Sequence, residues 1–446
     1  MPVELPREMT GAELQSMLKS SVNFKSLGGM RVPGLKLGEN DLKWWRDAKV
    51  GMFIHWGLYS ILGRGEWVRF AEKLPYHSYE ALTEQFDPQD FTTDEWAEIA
   101  KTLGANYAVM VTRHHDGFAL WNSAASWRGF TSFNAKAHRD FVEEFAVSCR
   151  RYGLKTGFYY SPMDWRFPGY FDPEHLTQNA ALMKAQCYGQ VEELVTRYGA
   201  PDILWYDGGW LAHKGSDTSS AWFWEPDKLN AMVRKYAPRA LVNPRSGWEG
   251  DFYCDEGSHE VSGKIITVPW EKNLCLCSGA SWGWMANDPV QPLEWLIRML
   301  VNVICRDGNI LWNIAPDKNG KLSPEIRARI AEFGAWIKSH GEAIYGTRGG
   351  PLEPVDGVYG TTFRQNCIYL HVLDQNAFHG MALPPLPGRL LNVQTLDNCA
   401  VPYSCEDGQV RIDLSSVQAQ TCAVLRLTLD SEVKPVSSQV YFTGKG

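Results

Sequence analysis

The sequence predicts an α/β fold, a (β/α)8-like TIM barrel followed by a C-terminal all-β sandwich domain. Eight strand-like segments, most of them separated by helical segments, occupy the first three quarters of the chain. After Gly346, short strand-like segments follow one another with turn residues and no helix between them. The length of 446 residues also exceeds that of an ordinary single domain. We therefore predict a barrel with an N-terminal leader over residues 1–345 and a sandwich over residues 346–446.

The predicted barrel strands are short runs rich in aromatic and branched residues, which is typical of strands buried on both faces. Before them, residues 1 to about 40 resemble a leader with one short helix. The strands are Val50–Trp56, Tyr107–Thr112, Thr156–Tyr160, Ile203–Tyr206, Leu241–Asn243 and Gly308–Asn313, with weaker candidates at Asp251–Cys254 and Leu274–Cys277. The predicted helices are Asp41–Lys49, Asp94–Leu103, Asp140–Tyr152, Asn179–Tyr198, Pro226–Tyr236, Leu293–Cys305 and Ser323–Ile344.

The C-terminal region begins with Gly346–Pro351, a linker by composition. Its predicted strands are Tyr359–Phe363, Cys367–Leu373, Leu390–Leu396, Val410–Leu414 and Cys422–Leu429. The absence of helical spacing between them favours a β-sandwich.

The composition narrows the possible partners. A formal net charge of −7 and the lack of Lys/Arg runs argue against nucleic acid and anionic membranes. The N-terminus has no apolar signal segment, and charges interrupt the most apolar stretch, Trp295–Trp312, so no membrane span is expected. We expect a cytoplasmic protein; homo-oligomerisation is left open. The 19 tryptophans suggest a Trp-lined cleft.

Ten cysteines are scattered without repeated spacing, which favours free thiols in a reducing compartment. The closest pair, Cys275 and Cys277, has no second pair or histidine cluster beside it, so zinc is not expected. We therefore predict no metal and no cofactor.

Polar side chains concentrate at the ends of four predicted strands. Asp207 ends an apolar strand and is followed by two glycines, and His55, His114–Asp116 and Ser161–Asp164 lie at other strand ends. The carboxyl ends of barrel strands open onto one face, where barrel enzymes carry their chemistry. Taken alone, Asp207 could close a turn or cap a helix. The convergence of four such strand ends favours an active site.

The individual residues have simpler alternatives. His55 could be a hydrogen-bonded core histidine, and Glu66-Trp67 could be a loop acid beside a core aromatic. The pair His114-His115 suggests a metal, but adjacent side chains on an extended strand point in opposite directions. Binding of substrate hydroxyls suits the two histidines better. An acid beside a tryptophan can also hold two hydroxyls while the ring stacks on a sugar.

Seven segments together resemble the motif blocks of the α-L-fucosidases, glycoside hydrolase family 29. They are Gly51–Ser60, Gly65–Trp67, His114–Phe118, Leu204–Asp207, Ser281–Gly283, Gly308–Pro316 and Gly341–Gly346. They follow the family's order from about Lys43 to Thr347. The resemblance implies a catalytic barrel followed by a β-sandwich, and retaining hydrolysis of terminal α-L-fucosides without a metal. The implied substrates are fucosylated oligosaccharides or glycoconjugates.

The resemblance also implies roles for individual residues. Asp207 matches the catalytic nucleophile, and Arg245 matches an arginine near the catalytic pair. The positions that match fucose-binding residues are His55, Glu66, Trp67, His114, His115 and Trp205. Of Tyr159 and Tyr160, we prefer Tyr160 as a further fucose contact.

Two roles have competing candidates. Trp282, with Trp284 as the alternative, is expected to meet the sugar methyl. The segment Asp251–Glu256 matches the family's acid/base segment and makes Glu256 the general acid/base. It carries Asp255 where the family usually has proline, so Asp255, Glu260 and Glu271 remain alternatives.

The chemistry itself requires two carboxyl groups in different states, one ionised to form a glycosyl ester and one protonated to release the leaving oxygen. We expect Arg245 to keep one carboxyl charged, while a drier, Trp-lined position raises the pKa of the other. Two other functions remain open. One is a barrel glycosidase for a related deoxy sugar or galactoside, and the other is a non-catalytic sugar-binding barrel.

Overall fold

The computed structural model describes residues 21, 24–25, 29–256, 259–417 and 421–435. Most of the predicted leader, with its short helix, lies outside the described residues. The strands before residue 345 are β1 (Phe24–Lys25), β2 (Val50–Ile54), β3 (Tyr107–Arg113), β4 (Lys155–Tyr160), β5 (Ile203–Tyr206), β6 (Leu241–Val242), β7 (Tyr253–Asp255), β8 (Trp270–Cys275) and β9 (Asn309–Ile314). The helices there are α1 (Glu39–Ala48), α2 (Val68–Ala71), α3 (Tyr76–Glu80), α4 (Asp94–Leu103), α5 (Phe141–Tyr152), α6 (Pro168–Phe171), α7 (Thr177–Thr196), α8 (Ala221–Trp224), α9 (Pro226–Tyr236), α10 (Leu293–Ile304) and α11 (Pro324–Ile344).

The predicted α/β barrel is confirmed as a curled sheet of eight parallel strands. Within the described residues the strand order is β1-β7-β8-β9-β2-β3-β4-β5-β6, with β1 antiparallel to β7. The last parallel strand, β9, pairs with the first, β2, through the register Phe53 to Asn313, as barrel closure requires. The sheet is open between β6 and β7. The carboxyl ends of the parallel strands therefore surround one end of the barrel.

The barrel interior is filled by large apolar side chains. Phe53, Val109 and Trp205 point inward from alternate positions of their strands and are buried. At the opposite end from the strand carboxyl ends, helix α1 places the Trp45 ring 4.7 Å from the Phe252 ring. Both rings are buried. The packed interior leaves chemistry to the other end.

The strong apolar runs gave accurate strand predictions, and the two weaker ones did not. Strand β8 starts at Trp270, four residues before the predicted Leu274, and contains Glu271 and Lys272. Charged side chains inside a buried strand hide its apolar pattern. Strand β7 starts at Tyr253, two residues after the predicted start at Asp251. No helix among the described residues combines the length and apolarity needed to cross a membrane.

Two antiparallel sheets follow the barrel. Their strands are β10 (Arg348–Gly349), β11 (Tyr359–Arg364), β12 (Cys367–Val372), β13 (Ala382–Leu383), β14 (Leu390–Thr395), β15 (Tyr403–Glu406), β16 (Gln409–Ile412) and β17 (Ala423–Leu429). The first sheet has the order β10-β11-β12-β17-β14, and the second has the order β13-β16-β15. A short helix, α12 (Gln375–Phe378), follows β12. The exposed strand β15 was not predicted, because it has no apolar face. The boundary at residue 345 stays a prediction.

A buried aspartate bridges the opening between β6 and β7. The Asp251 N–H donates to the Val242 carbonyl oxygen at 2.7 Å, and the Val242 N–H donates to Asp251 Oδ2 at 2.8 Å. The same carboxylate accepts hydrogen bonds from the Leu37 N–H at 2.9 Å and from Arg234 at 2.7 Å. One side chain thus joins β6, the segment before β7 and the segment before α1. Burial raises the pKa of Asp251, and the hydrogen bonds to its charged form oppose that rise.

We predict that Asp251→Ala destabilises the protein by about 3–5 kcal/mol, because it leaves a buried guanidinium and two backbone N–H groups without their acceptor. Chemical denaturation followed by circular dichroism measures this change. The matched control is Asp413→Ala, whose exposed carboxylate accepts from the Ser415 N–H at 2.9 Å. The control should change stability by no more than about 0.5 kcal/mol. Equal effects of the two substitutions would contradict the bridging role.

Candidate active site

The site is organised around the guanidinium of Arg245, which follows strand β6. One terminal nitrogen lies 2.6 Å from Asp207 Oδ1, and the other donates to Glu256 Oε1 at 2.9 Å. Asp207 follows β5 and Glu256 follows β7, so both carboxyls lie at the carboxyl ends of strands. Their side chains are 16% and 19% exposed, which leaves each open to a ligand. Arg245 therefore contacts both carboxyls of the predicted pair.

Two further side chains contact Asp207. The Tyr159 hydroxyl donates to Asp207 Oδ2 at 2.8 Å, and His115 Nε2 lies 3.7 Å from the same oxygen. Burial, with the Asp207 charge, raises the pKa of Tyr159 well above its usual value, so the hydroxyl remains a donor. Each oxygen of the Asp207 carboxylate thus contacts a neighbouring side chain, Oδ1 that of Arg245 and Oδ2 that of Tyr159.

The preference for Tyr160 was wrong, because the structure places Tyr159 in the site. The Tyr160 hydroxyl donates to Gln190 Oε1 on α7 at 3.0 Å. Successive side chains of a strand point to opposite faces, so only one of two adjacent tyrosines can face the barrel interior. Since Tyr159 faces Asp207, Tyr160 faces the surrounding helices.

The two glycines after Asp207 are required by close contacts. Gly208 has φ +73, a conformation that favours glycine, and an added Cβ would lie 2.8 Å from the His115 ring. A Cβ on Gly209 would lie 2.9 Å from both the Arg245 carbonyl oxygen and Asp217 Oδ1. The chain therefore turns sharply beside Asp207 without blocking its carboxylate.

The three predicted histidines lie together and are neutral. The His55 Nδ1–H donates to Asn313 Oδ1 at 2.6 Å, and burial lowers the pKa of His55 to about 3. His115 Nδ1 lies 2.6 Å from Ser161 Oγ, and burial, with the Arg245 charge, lowers the pKa of His115 well below its usual range. Burial also lowers the pKa of His114. Neutral imidazoles can both donate and accept hydrogen bonds.

Glu66 is held by a motif more than two hundred residues away. Its Oε2 accepts hydrogen bonds from the Ser281 hydroxyl and, at 2.7 Å, from the Gly283 N–H. A Cβ on Gly283 would lie 2.8 Å from the Glu66 nitrogen. The segments Gly65–Trp67 and Ser281–Gly283 are therefore fitted to each other. They bring Trp282 next to His55, with ring centroids 5.4 Å apart.

Aromatic rings form the remaining surface. Trp205 is buried and stacks on Tyr159 with centroids 5.8 Å apart, and its ring lies 5.8 Å from the Arg245 guanidinium carbon. The half-buried Trp67 ring lies 5.2 Å from the His115 ring. Trp284, the alternative to Trp282, lies against Gly63 instead. The predicted residues other than Tyr160 thus gather around one cleft.

The alternative acids occupy different surroundings from Glu256. Asp255 is fully buried and pairs with Lys272 at 2.8 Å, and Glu260 is exposed. Glu271 lies deep in the barrel, where it accepts hydrogen bonds from the Tyr107 hydroxyl at 2.6 Å and the Trp205 indole at 3.2 Å. Burial raises the pKa of Glu271 to about 7. Glu256 is the one of the four that is paired with Arg245 at the strand ends.

Asp217 is a part of the site that the sequence did not predict. It is buried, its Oδ2 lies 3.3 Å from Arg245 Nε, and its Oδ1 accepts from the Gly209 N–H at 2.8 Å. It lies in a loop ten residues beyond Asp207, within the polar sequence Ser216–Ser220. Nothing in that composition distinguishes it from a helix cap. Its place in the loop after the Asp207 strand is the only available signal.

Three groups in the site could offer ligand atoms to a metal. Nitrogens of His114 and His115 and an oxygen of Asp207 lie within 4.8 Å of one another. Asp207, however, is already paired with the Arg245 guanidinium, whose positive charge opposes a cation there. The arrangement suits hydrogen bonding to an organic ligand better.

Comparisons with known proteins show which family the chain resembles. A family model described as alpha-L-fucosidase matches residues 36–342. The tissue alpha-L-fucosidase of Rattus norvegicus is 30% identical over 338 residues, which are 69% of this chain and 70% of the relative. The alpha-L-fucosidase isoenzyme 1 from Paenibacillus thiaminolyticus is 31% identical with a TM-score of 0.77, and the match covers 88% of this chain and 99% of that chain.

A more distant structure supports the fold. An alpha-L-fucosidase GH29 from Bacteroides thetaiotaomicron, solved as a trapped covalent intermediate with 2-fluoro-fucosyl fluoride, has a TM-score of 0.79 at 22% identity. The match covers 92% of this chain and 100% of that chain.

We predict that the rings of His55, His114 and His115 stay neutral from pH 8 to pH 5, because burial disfavours their charged forms. Their nuclear magnetic resonance signals should therefore not shift in that range. The exposed His175 serves as the control, since Asp172 raises its pKa above the usual value and its ring should titrate.

The same shifts predict a pH dependence of stability. The pKa of these histidines is lower in the folded than in the unfolded chain, so the unfolded state binds more protons below about pH 6.5. The free energy of unfolding should consequently fall as the pH drops below about 6.5. A site histidine that titrates near its usual pKa would contradict both expectations.

Proposed function

The chain belongs to the α-L-fucosidase family, and we propose that Asp207 and Glu256 are the catalytic pair with which it hydrolyses terminal α-L-fucosides. The observation that carries this proposal is the pairing of both carboxyls with Arg245 at the carboxyl ends of barrel strands. Retaining glycosidases use two carboxyls about 5–5.5 Å apart, and inverting ones use a separation of about 6.5–9.5 Å. Contact of both carboxyls with one guanidinium supports the shorter separation.

In the first step Asp207 acts as the nucleophile. Its Oδ attacks the anomeric carbon, the bond from that carbon to the glycosidic oxygen breaks, and the electron pair goes to that oxygen. Glu256 supplies the proton, so the products are a fucosyl ester of Asp207 and a free alcohol. The Tyr159 hydroxyl and Arg245 stabilise the Asp207 carboxylate before it attacks.

In the second step a water molecule replaces the alcohol. Glu256, now a carboxylate, takes a proton from the water, whose oxygen attacks the anomeric carbon. The ester bond breaks, which releases fucose and restores the Asp207 carboxylate. A covalent intermediate of this kind is named for the Bacteroides thetaiotaomicron structure.

Neutral groups are proposed to bind the sugar hydroxyls. The His114 ring lies beside the other two histidines, with its centroid 6.0 Å from that of His55 and 4.0 Å from that of His115. His55, His115 and Glu66 offer further donors and acceptors next to it. Trp67, Trp205 and Trp282 would contact the apolar faces and the methyl group of the sugar.

The substrates are fucosylated glycans, and oligosaccharides or glycoconjugates that carry terminal fucose are our specific proposal. We also propose a reducing compartment such as the cytoplasm, which is supported by the absence of a disulfide among the ten cysteines, all of which are free.

We predict that Asp207→Gly lowers kcat for an aryl α-L-fucoside by roughly 10³- to 10⁵-fold, because no other group can form the ester. The fold should survive, since a partly exposed side chain contributes little packing. Azide should enter the vacated space and attack from the same face, which gives the inverted β-fucosyl azide. A 2-fluorinated fucoside should label wild-type Asp207. Labelling of another carboxylate would remove Asp207 from this role.

We predict that Glu256→Ala impairs substrates with poor leaving groups most, because only these need protonation in the first step. With an activated aryl fucoside, azide should accelerate turnover and give a fucosyl azide of retained configuration. The comparison variants are Glu260→Ala and Glu271→Ala, neither of which should respond to azide. If one of them does respond while Glu256→Ala resembles the wild type, the acid/base role moves to that residue.

A further inference from the structure

Asp217 is the third carboxyl on the Arg245 guanidinium. Its Oδ2 lies 3.3 Å from Arg245 Nε, while the two terminal nitrogens contact Asp207 and Glu256. Only 3% of the Asp217 side chain is exposed, much less than for the other two carboxyls. It therefore lies behind the guanidinium, on the side away from the cleft, and has no access to substrate.

The charges around Arg245 do not balance if all three acids are ionised. Among the described residues next to this cluster, burial lowers the pKa of His115 and raises that of Tyr159 and of Cys254, which disfavours a charge on each of them. Glu271, which faces Cys254, also has its pKa raised by burial. One positive charge consequently meets up to three negative ones. In a poorly solvated cluster, one carboxyl is favoured to keep a proton.

The positions of the three acids indicate which one keeps it. Asp217 accepts a hydrogen bond from the Gly209 N–H and Asp207 accepts one from the Tyr159 hydroxyl, so each of these two acids must offer an acceptor oxygen. The negative charges of Asp207 and Asp217 together exceed the single positive charge of Arg245. Arg245 therefore stabilises a negative charge on Glu256 less strongly.

We propose that Asp217 is a positioning residue that orients Arg245 and neutralises part of its charge, so that Glu256 keeps the proton it must donate. The inference rests on the proposed function, because it assigns the acid role to Glu256. It also explains how one arginine can contact two carboxyls that need different protonation states. A purely structural Asp217 would stabilise the loop through Gly209 without affecting the titration of Glu256.

The test is the pH dependence of kcat/KM for an α-L-fucoside with a poor alkyl leaving group, whose alkaline limb reports the general acid. In Asp217→Asn the amide keeps the shape and an acceptor oxygen but removes the charge. Arg245 then stabilises the Glu256 carboxylate more strongly, and the alkaline limb should move down by about one pH unit. Asp217→Glu, which restores the charge, should move the limb back toward the wild-type position.

The control for loop damage is Ser220→Ala, which removes the hydrogen bond from the Leu211 N–H to Ser220 Oγ in the same loop without changing charge. Its alkaline limb should match that of the wild type. If Asp217→Asn does not fold, Asp217→Ser carries the same test, because serine keeps an acceptor for Gly209 and has no charge.

The outcomes separate this inference from the proposed function. A wild-type enzyme that leaves the fucoside intact, or a Glu256→Gln variant that keeps the alkaline limb, overturns the proposed function. If Glu256→Gln abolishes the limb while folded Asp217→Asn or Asp217→Ser leaves it unmoved, only the role of Asp217 is refuted.

Discussion

The structure depends on one constraint, the pairing of a buried guanidinium. An uncompensated buried charge costs several kcal/mol, so Arg245 must be surrounded by acids. The acids that do this come from the end of β5, the loop beyond it and the end of β7. The ionic cluster therefore connects the ends of the paired strands β5 and β6 to the end of β7, which is not paired with either of them. The same ion pairs thus position the proposed catalytic acids and hold together the segments that carry them.

The cluster spans the place where the barrel is open. Strands β6 and β7 are not paired with each other, because β1 pairs along the edge of β7, and two side-chain bridges connect the two segments. Asp251 bonds to Val242 at the level of the strands, and Arg245 pairs with Glu256 above it. A closed ladder would hold these strand ends about 4.8 Å apart. The opening instead allows a guanidinium and a carboxyl to fit between them, which places the proposed acid in the wall of the cleft.

The sequence correctly predicted the features that depend on the pattern of apolar residues along a short segment. The apolar runs located most barrel strands, and their ends located Asp207, His55, His114 and His115. It could not choose between Tyr159 and Tyr160, because the phase of a strand depends on which face meets the core. It also missed Asp217, whose role comes from the fold of a loop and not from its neighbours in sequence. Strand β8 was misplaced because Glu271 and Lys272 are buried by partners elsewhere in the chain.

Charged and neutral groups are divided between two sides of the cleft, and that division follows from burial. Around Arg245 three carboxyls face a permanent cation. On the other side His55 faces aromatic rings and an amide group, so its charged form is disfavoured. A neutral sugar has hydroxyls that need both donors and acceptors, which neutral imidazoles provide. Its anomeric carbon develops positive charge in the transition state, which only the acidic side can stabilise. We propose that a bound sugar lies with its hydroxyls toward β2 and β3 and its reacting carbon toward β5 and β7.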